Sequence, residues 1–475
     1  MKSLLLVILC IALVNGVVNG RRIISNTDRE RVIEEKLKQL NKPAVKTIQS
    51  EDGDTIDCVD IHQQPAFDHP LLKNHTIQMR PSDKVLKLIA ESPTASNVGQ
   101  MPTQVWQKSG SCPEGTIPIL RIQRRHLEKA PSIENYGRKP WHGVTKHRIP
   151  TSNSTTTLDV SLGNLQETAV LVGEGYSYTG AAANLNLWNP YVSGFQEFSS
   201  SQIWIRNGPY DNADSIETGW IEVDVLELNL FSWYIDQTDS GKSTGCFNLI
   251  CPGFVQTNHS IALGTRFSPM SKDGGDQYQI SLTMLRDFDR AVWWLIYKTD
   301  IIGYWPVGIF PRLSHVGTLV LFGGDVYSPT MASKPHTKTA MGSGRLAKEH
   351  YRHASFISKP RIVDNSESFK WPEPGFPLST RPQCYGAELF KEAGFDEQRK
   401  LKEGVNSMFW FCSGSHGNAE FGYCCNPSKA TNTGDPKEAC QINLSQFRYS
   451  EDNEKQLLAD KSGLARRQVS NWFIS

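Results

Sequence analysis

The sequence has almost no net charge: 50 Lys and Arg stand against 49 Asp and Glu in 475 residues, a formal balance of +1. No global charge therefore advertises nucleic acid or an anionic membrane as a partner. Past the first twenty residues, no apolar run approaches the ~20 residues a membrane-spanning helix needs. Helical periodicity is scarce and no internal repeat of useful fidelity is present, which argues against a helical bundle and a solenoid. Paired CxxC modules at zinc-ribbon spacing are missing. So are GxSxG, HExxH, GxxxxGK[ST] and a GxGxxG between a strand and a helix. Neither a metal nor a cofactor is expected, and nucleic acid and membrane are not expected partners.

What is present suits a chain of many short strands. Hydrophobic residues make up 39%, charged residues 21% and aromatics 10%, with 37 Gly and 26 Pro to supply turns. At the N-terminus, Lys2 and the apolar run Leu4 to Val14 have the form of a signal peptide over residues 1–20. Val14-Asn15-Gly16 and Val18-Asn19-Gly20 both resemble cleavage sites. The expected product is secreted. Without Cys10, nine cysteines remain: Cys58, Cys112, Cys246, Cys251, Cys384, Cys412, Cys424, Cys425 and Cys440. The adjacent Cys424-Cys425 suits separate disulfides better than one metal. Sequons at Asn74, Asn153, Asn258 and Asn443 are compatible with glycosylation.

Thr27-Asp28-Arg29-Glu30 opens a short helix with Ile33, Leu37 and Leu40 on one face, stopped at Asn41 and Pro43. The polar stretch 151–157 is the best linker. Beyond it, segments 184–188, 201–205, 228–233 and 277–283 alternate polar and apolar residues, the period of half-buried strands. Turn clusters such as Asn207-Gly-Pro209 and Asp273-Gly-Gly275 separate them. The fold class expected is all-β, an antiparallel β-sandwich preceded by a smaller mixed domain.

Several blocks resemble the neprosin family, plant secreted glutamic peptidases with an N-terminal activation domain and a β-sandwich catalytic domain. In the first part these are Glu51 to Ile61, Gln64 to Leu72 and Cys112 to Ile119. In the second they are Ser201 to Ile205, Ser215 to Trp220, Thr244 to Val255, Trp293-Trp294, Gly303 to Pro306 and Phe322-Gly-Gly-Asp325. His336-Thr and Met341-Gly-Ser-Gly344 continue the series. After the signal peptide at 1–20, the expected division is an activation domain at 21–150 and a catalytic domain at 151–427, as the resemblance implies, with an extension at 428–475. It also implies an endopeptidase made as a zymogen, cutting after proline at acidic pH in the apoplast or cell wall. Proline-containing peptides or proteins, and its own activation domain, are the partners this suggests.

The family's two catalytic glutamates fall on Glu217 and, in a Phe-Gly-Gly-Asp block where the family reads Trp-Gly-Gly-Glu, on Asp325. Two acids suit the chemistry: one, ionised, takes a proton from water, while the other, protonated, donates to the leaving amine. Placed together and desolvated, such a pair is expected to share one proton. Gly323 and Gly324 would let the backbone approach substrate, and Trp220, Tyr304 and Trp305 would offer flat faces to a proline ring. The ordinary reading of an isolated Glu is a solvated surface residue, and of strand aromatics such as Trp293 and Trp294, core. Because Asp325 shortens the reach by one methylene, a catalytically silent extracellular binding protein of the same fold is the alternative.

Cys246 and Cys251 flank a four-residue turn and read as a disulfide clamp; Cys58 and Cys112 are expected to pair within the activation domain. Arg121, Arg124, Arg125, Arg138, Lys139 and Lys146 make the end of that domain basic, a candidate partner for an acidic cleft that it would cover. Pro150-Thr151 is the expected self-processing bond. Residues 454–474 resemble part of a plant BELL-type homeodomain, but the adenine-reading Asn is replaced by Ser475 and the phosphate-gripping arginines are missing, so no DNA binding is expected.

Overall fold

The computed structural model describes residues 26–413, except 93–101, 131, 135, 139–164, 195, 210–212, 224–225, 236–245, 334–335, 374, 383, 391–392, 396–400 and 404–407. The signal peptide, the 151–157 linker with Pro150-Thr151 and Asn153, the 428–475 extension with Asn443, and the homeodomain-like tail lie outside the described residues.

The first part is small and mixed. Helix α1 (Asn26–Leu40) turns Ile33 inward against Ile122 and Leu127, with Leu37 and Leu40 packed beside them. Strands β1 (Lys46–Gln49) and β2 (Thr55–Asp60) form a three-stranded sheet that a later strand completes. Helix α2 (Asp83–Glu91) starts at Ser82, whose hydroxyl accepts from the Val85 amide, and buries Val85, Leu88 and Ile89. Strand β3 (Thr103–Gln104), strand β4 (Thr116–Leu120), which joins β2, and helix α3 (Arg124–Lys129) follow. Cys58 and Cys112 are joined by a disulfide.

The second part is an antiparallel β-sandwich. Its strands are β5 (Gln166–Asn186), β6 (Phe198–Asn207), β7 (Asp214–Val223), β8 (Leu226–Ile235), β9 (Cys246–Phe247), β10 (Val255–Gln256), β11 (Phe267–Ser268), β12 (Gln279–Asp287), β13 (Val292–Tyr297), β14 (Asp300–Pro306) and β15 (Gly317–Tyr327). Strands β16 (Ser355–Asp364), β17 (Phe369–Lys370), β18 (Gly375–Ser379) and β19 (Tyr385–Phe390) follow, with a last long strand at Met408–Ser413. Strand β5 belongs to both layers. Its residues 166–174 pair with β15, and 169–173 with β18; residues 180–186 pair with β12, and 178–185 with β16. The first layer continues β15-β6-β7-β8-β9, and the second β12-β13-β14-β10.

Alternation along the strands sorts the residues into faces. Leu171, Ile203, Ile205, Ile216, Trp220, Val320, Phe322 and Val326 of the first layer share one core cluster with Ala181, Ala183, Leu185, Ile280, Leu282 and Met284 of the second. Trp293 and Trp294 are fully buried; their indole N–H groups donate to the Leu313 carbonyl at 2.8 Å and to Asp287 Oδ2 at 3.0 Å.

The first part docks chiefly on the second layer, and its Gly137 carbonyl also accepts from the Phe247 amide of β9 at 2.9 Å. The Tyr304 hydroxyl meets His75 Nε2 at 2.8 Å and accepts from the Gln78 amide at 2.9 Å. Two buried glutamines each imitate a strand partner. Gln64 donates to the Gln256 carbonyl at 3.0 Å and accepts from its amide at 2.8 Å; Gln104 does the same with Ala262 at 2.6 and 2.9 Å. Strand β3 pairs with β11, and Ile61, Leu72, Val85 and Leu88 join the sandwich core cluster. These contacts lie chiefly on the second layer, and residues 139–164, which complete the segment expected to cover the acids, lie outside the described residues. Of the basic residues expected to face that cleft, Arg121 pairs with Asp57 at 2.5 Å, Arg124 with Glu34 at 2.5 Å and Arg125 with Asp54 at 3.4 Å, all acids of the same segment, while Arg138 is exposed. Lys139 and Lys146 lie outside the described residues.

Candidate active site

Ile203, Ile205, Ile216 and Trp220 point into the core, so residues of opposite parity on β6, β7 and β15 line the outer face of the first layer. The register arranges them in four rows across β7, β6 and β15: Glu217, Trp204, Leu321; Gly219, Gln202, Gly323; Ile221, Ser200, Asp325; and Val223, Phe198, Tyr327. Glu217 and Asp325 thus share a face, although 108 residues separate them in sequence. Both are buried, at 3% and 0% exposure. Carboxylates this deep in a strand face are costly unless held by donors. The Ser215 hydroxyl donates to Glu217 Oε1 at 2.8 Å, and Gln166 Nε2 donates to Asp325 Oδ2 at 2.6 Å.

The two acids are not direct cross-strand neighbours. Glu217 lies opposite Trp204 and Asp325 opposite Ser200, four residues apart on β6. Each is instead a diagonal neighbour of Gln202, a step of about 7–8 Å between Cα atoms that long side chains can bridge. By register the two acids therefore stand on either side of a glutamine.

Gln202 is 1% exposed. It is flanked on both neighbouring strands by glycine, and neither position has room for more. A Cβ at Gly219 would lie 2.0 Å from the Ser201 carbonyl oxygen, and one at Gly323 would lie 2.2 Å from that of Ala169. Two apolar clusters bracket the row. On the Glu217 side, Trp204 packs with Val170, Val172, Leu319 and Leu321; on the Asp325 side, Phe198, Ile221 and Tyr327 pack together. The Phe198 and Tyr327 rings stack at 5.6 Å. Burial, with the charge of Glu197, holds the Tyr327 hydroxyl pKa above its ordinary value.

Of the other residues singled out from sequence, Gly323 lies in this face, whereas Gly324 has the opposite parity and lies opposite Ser201. Trp220 also faces inward, its indole N–H donating to the Asn186 carbonyl at 2.8 Å. Trp305 is fully buried in the second layer against Phe254, ring centroids 4.8 Å apart, and Tyr304 is covered by the activation segment. These three aromatics do not share the face of Glu217 and Asp325. On β6 and β15 the aromatics that do are Trp204, Phe198 and Tyr327. Gln202 and Trp204 were visible within the block 201–205, and their spacing of two puts them on one face; the glycines opposite were the further signal.

Other blocks serve the frame. Ser328, Thr337 and Thr339 all donate hydroxyls to Glu197, tying the end of β15 to the His336-Thr block. Cys251 and Cys384 are each disulfide-bonded. Asn74 is exposed, whereas the Asn258 side chain is engaged, donating to the Ile301 carbonyl at 3.1 Å and accepting from two backbone amides. Among the described residues, no cluster of His, Cys, Asp or Glu could hold a metal ion, and no helix is long and apolar enough to cross a membrane.

Comparison with known families finds two matches on this chain. The family described as Neprosin matches residues 195–405, and the one described as Neprosin activation peptide matches residues 47–162. Solved structures give distant likenesses. Scytalido-glutamic peptidase with a peptide-based transition-state analogue has a TM-score of 0.26 at 9% identity, covering 52% of this chain and 97% of that one. SCP-B, a member of the eqolisin family of peptidases in complex with the tripeptide Ala-Ile-His, has a TM-score of 0.25 at 10% identity, over 52% and 97%. A homodimeric agglutinin from chicken liver has a TM-score of 0.18 at 9% identity, over 34% and 96%.

Proposed function

The chain belongs to the neprosin family, and from that premise we propose that it is a secreted glutamic endopeptidase, made as a zymogen, that cuts after proline at acidic pH. The observation that carries this reading is the burial of Glu217 and Asp325 on one face, in a row pattern that leaves glycine on either side of Gln202. A peptide laid across that face would place its scissile carbonyl over the glycines, between the acids.

The reaction needs one acid ionised and one protonated. The ionised carboxylate takes a proton from a water as its oxygen attacks the carbonyl carbon, and the carbonyl π pair moves onto oxygen. The intermediate then collapses: the pair returns, the C–N bond breaks, and the protonated carboxyl gives its proton to the departing nitrogen. Acidic conditions belong to this reading because the second carboxyl must carry a proton when the C–N bond breaks. Trp204, Phe198 and Tyr327, rather than Trp220, Tyr304 or Trp305, are the aromatics from which this face would offer a flat surface to a proline ring.

Asp325 supports a second reading. Its carboxyl is one methylene short of a glutamate, and a misplacement of about 1 Å can cost on the order of 10²-fold in rate. A chain silenced in this way would keep the sandwich and bind proline-rich extracellular proteins without cutting them. Cleavage of a proline-containing peptide at pH 4 by the processed protein, abolished in Glu217→Gln and raised in Asp325→Glu, supports the peptidase. Binding without cleavage by the parent and by Asp325→Glu supports the silent protein.

A further inference from the structure

The side chain of Gln202 is an anomaly of the buried face. Its residue is 1% exposed, and neither Nε2 nor Oε1 has a hydrogen-bond partner among the described residues. Leaving a buried amide unsatisfied costs about 1–3 kcal/mol per group, so such a side chain persists where a ligand completes it or a task requires it. Its position is equally specific. It lies on the diagonal between Glu217 and Asp325, and its lateral neighbours are glycines that can carry no side chain. It is thus the one side chain of its row across β7, β6 and β15. The apolar clusters on both sides keep that row in a low dielectric, where a donor has most effect on a developing charge.

We propose, building on the peptidase reading above, that Gln202 is a catalytic residue: its Nε2–H donates to the carbonyl oxygen of the scissile bond, and its Oε1 accepts a hydrogen from the attacking water. As the water oxygen bonds to the carbonyl carbon, the π pair moves onto the oxygen held by Nε2, while the water proton passes to the ionised acid. On collapse that pair returns to the carbonyl, the C–N bond breaks and the nitrogen takes the proton of the other acid. Gln202 gains and loses no proton. It stabilises the oxyanion and aims the water, which explains an amide where a third acid would add repulsion. With an aspartate at 325, part of the reach across the diagonal falls to this amide.

The test uses the processed protein and two variants, Gln202→Met and Gln202→Glu, with thermal melting as the check of folding. The readouts are kcat and KM on a proline-containing peptide, and binding of the same peptide with a tetrahedral phosphinate in place of the scissile bond. Gln202→Met is expected to lose 10²–10³-fold in kcat with KM within about threefold, the scale of one lost oxyanion donor. Its affinity for the phosphinate should fall alongside, while affinity for the cleaved product holds. Gln202→Glu should be impaired near neutral pH and recover partly toward pH 3, where the new carboxyl regains an O–H donor. If Gln202→Met does not fold, this pH profile is the deciding measurement. Parent-like kcat in a folded Gln202→Met, or a Gln202→Glu profile parallel to the parent, overturns the role of Gln202 and leaves the peptidase standing. A parent that neither cleaves peptide nor binds the phosphinate overturns both.

Discussion

Two titrating groups in the activation segment oppose one another, and removing either should expose the other. Burial lowers the His126 pKa to about 4, with the charges of Arg125 and Lys129 adding to the effect. The unfolded chain therefore takes this proton first, and the stability that neutral His126 allows is lost as pH falls from about 6.5 toward 4. Linkage puts that loss at about 3 kcal/mol at pH 4. Asp54 runs the other way. Burial first, then the charge of Asp52, raises its pKa to about 6. Here the folded chain takes the proton first, so stability rises by about 2 kcal/mol between pH 6 and 4. The two nearly cancel. Both contact Arg125, whose Nε lies 3.2 Å from His126 Nε2 and whose Nη2 lies 3.4 Å from Asp54 Oδ1. In a Glu217→Gln background, which prevents self-cleavage, hydrogen exchange of the β2 amides at pH 7 and pH 4 should report local opening of the segment. Asp54→Asn should lose about 2 kcal/mol more protection on acidification than its parent. His126→Gln should lose about 3 kcal/mol less. An unchanged pH response in Asp54→Asn, or greater acid lability in His126→Gln, would refute the reasoning.

Gly323→Ala should destabilise the sandwich by at least about 2 kcal/mol, because its Cβ would meet the Ala169 carbonyl and the strands would have to part; chemical denaturation measures it. Non-reducing peptide mapping should find Cys246 joined to Cys251. It should also find Cys384 joined to Cys412, which register places opposite Gly386; a bridge from either to the activation segment would contradict both. After acid incubation, the larger fragment should begin near Thr151, while Glu217→Gln stays uncut. Identical cutting of that variant would assign processing to another protease.

Much of the architecture was legible because alternation survives wherever one face of a strand is polar. Strand β6 covers the alternating stretch 201–205 and β12 takes in most of 277–283, while α1 carries its apolar residues as spaced. Strand β5 was harder to read. Its run Ala181-Ala182-Ala183 is buried on both faces, so no alternation marks it. The expected substrate aromatics misled for a related reason. Trp220 is three residues from Glu217, an odd step, so one strand must turn them to opposite faces. Gln64 and Gln104 look like surface residues in sequence, yet each is buried because backbone groups of the sandwich satisfy its amide.

The sharing of β5 by both layers also has a consequence in time. It is the first strand of the sandwich to leave the ribosome, yet none of its strand partners is made soon after. Strand β12 begins at residue 279, and β15, β16 and β18 follow later still. At roughly 5–20 residues per second, the strand on which both layers are built spends many seconds of translation with its hydrogen-bonding edges open. Closing such distant pairings is slow, and an exposed apolar strand invites association with other chains in the interval. The yield of this protein in a foreign host should therefore depend on how quickly the chain is elongated between residues 186 and 327.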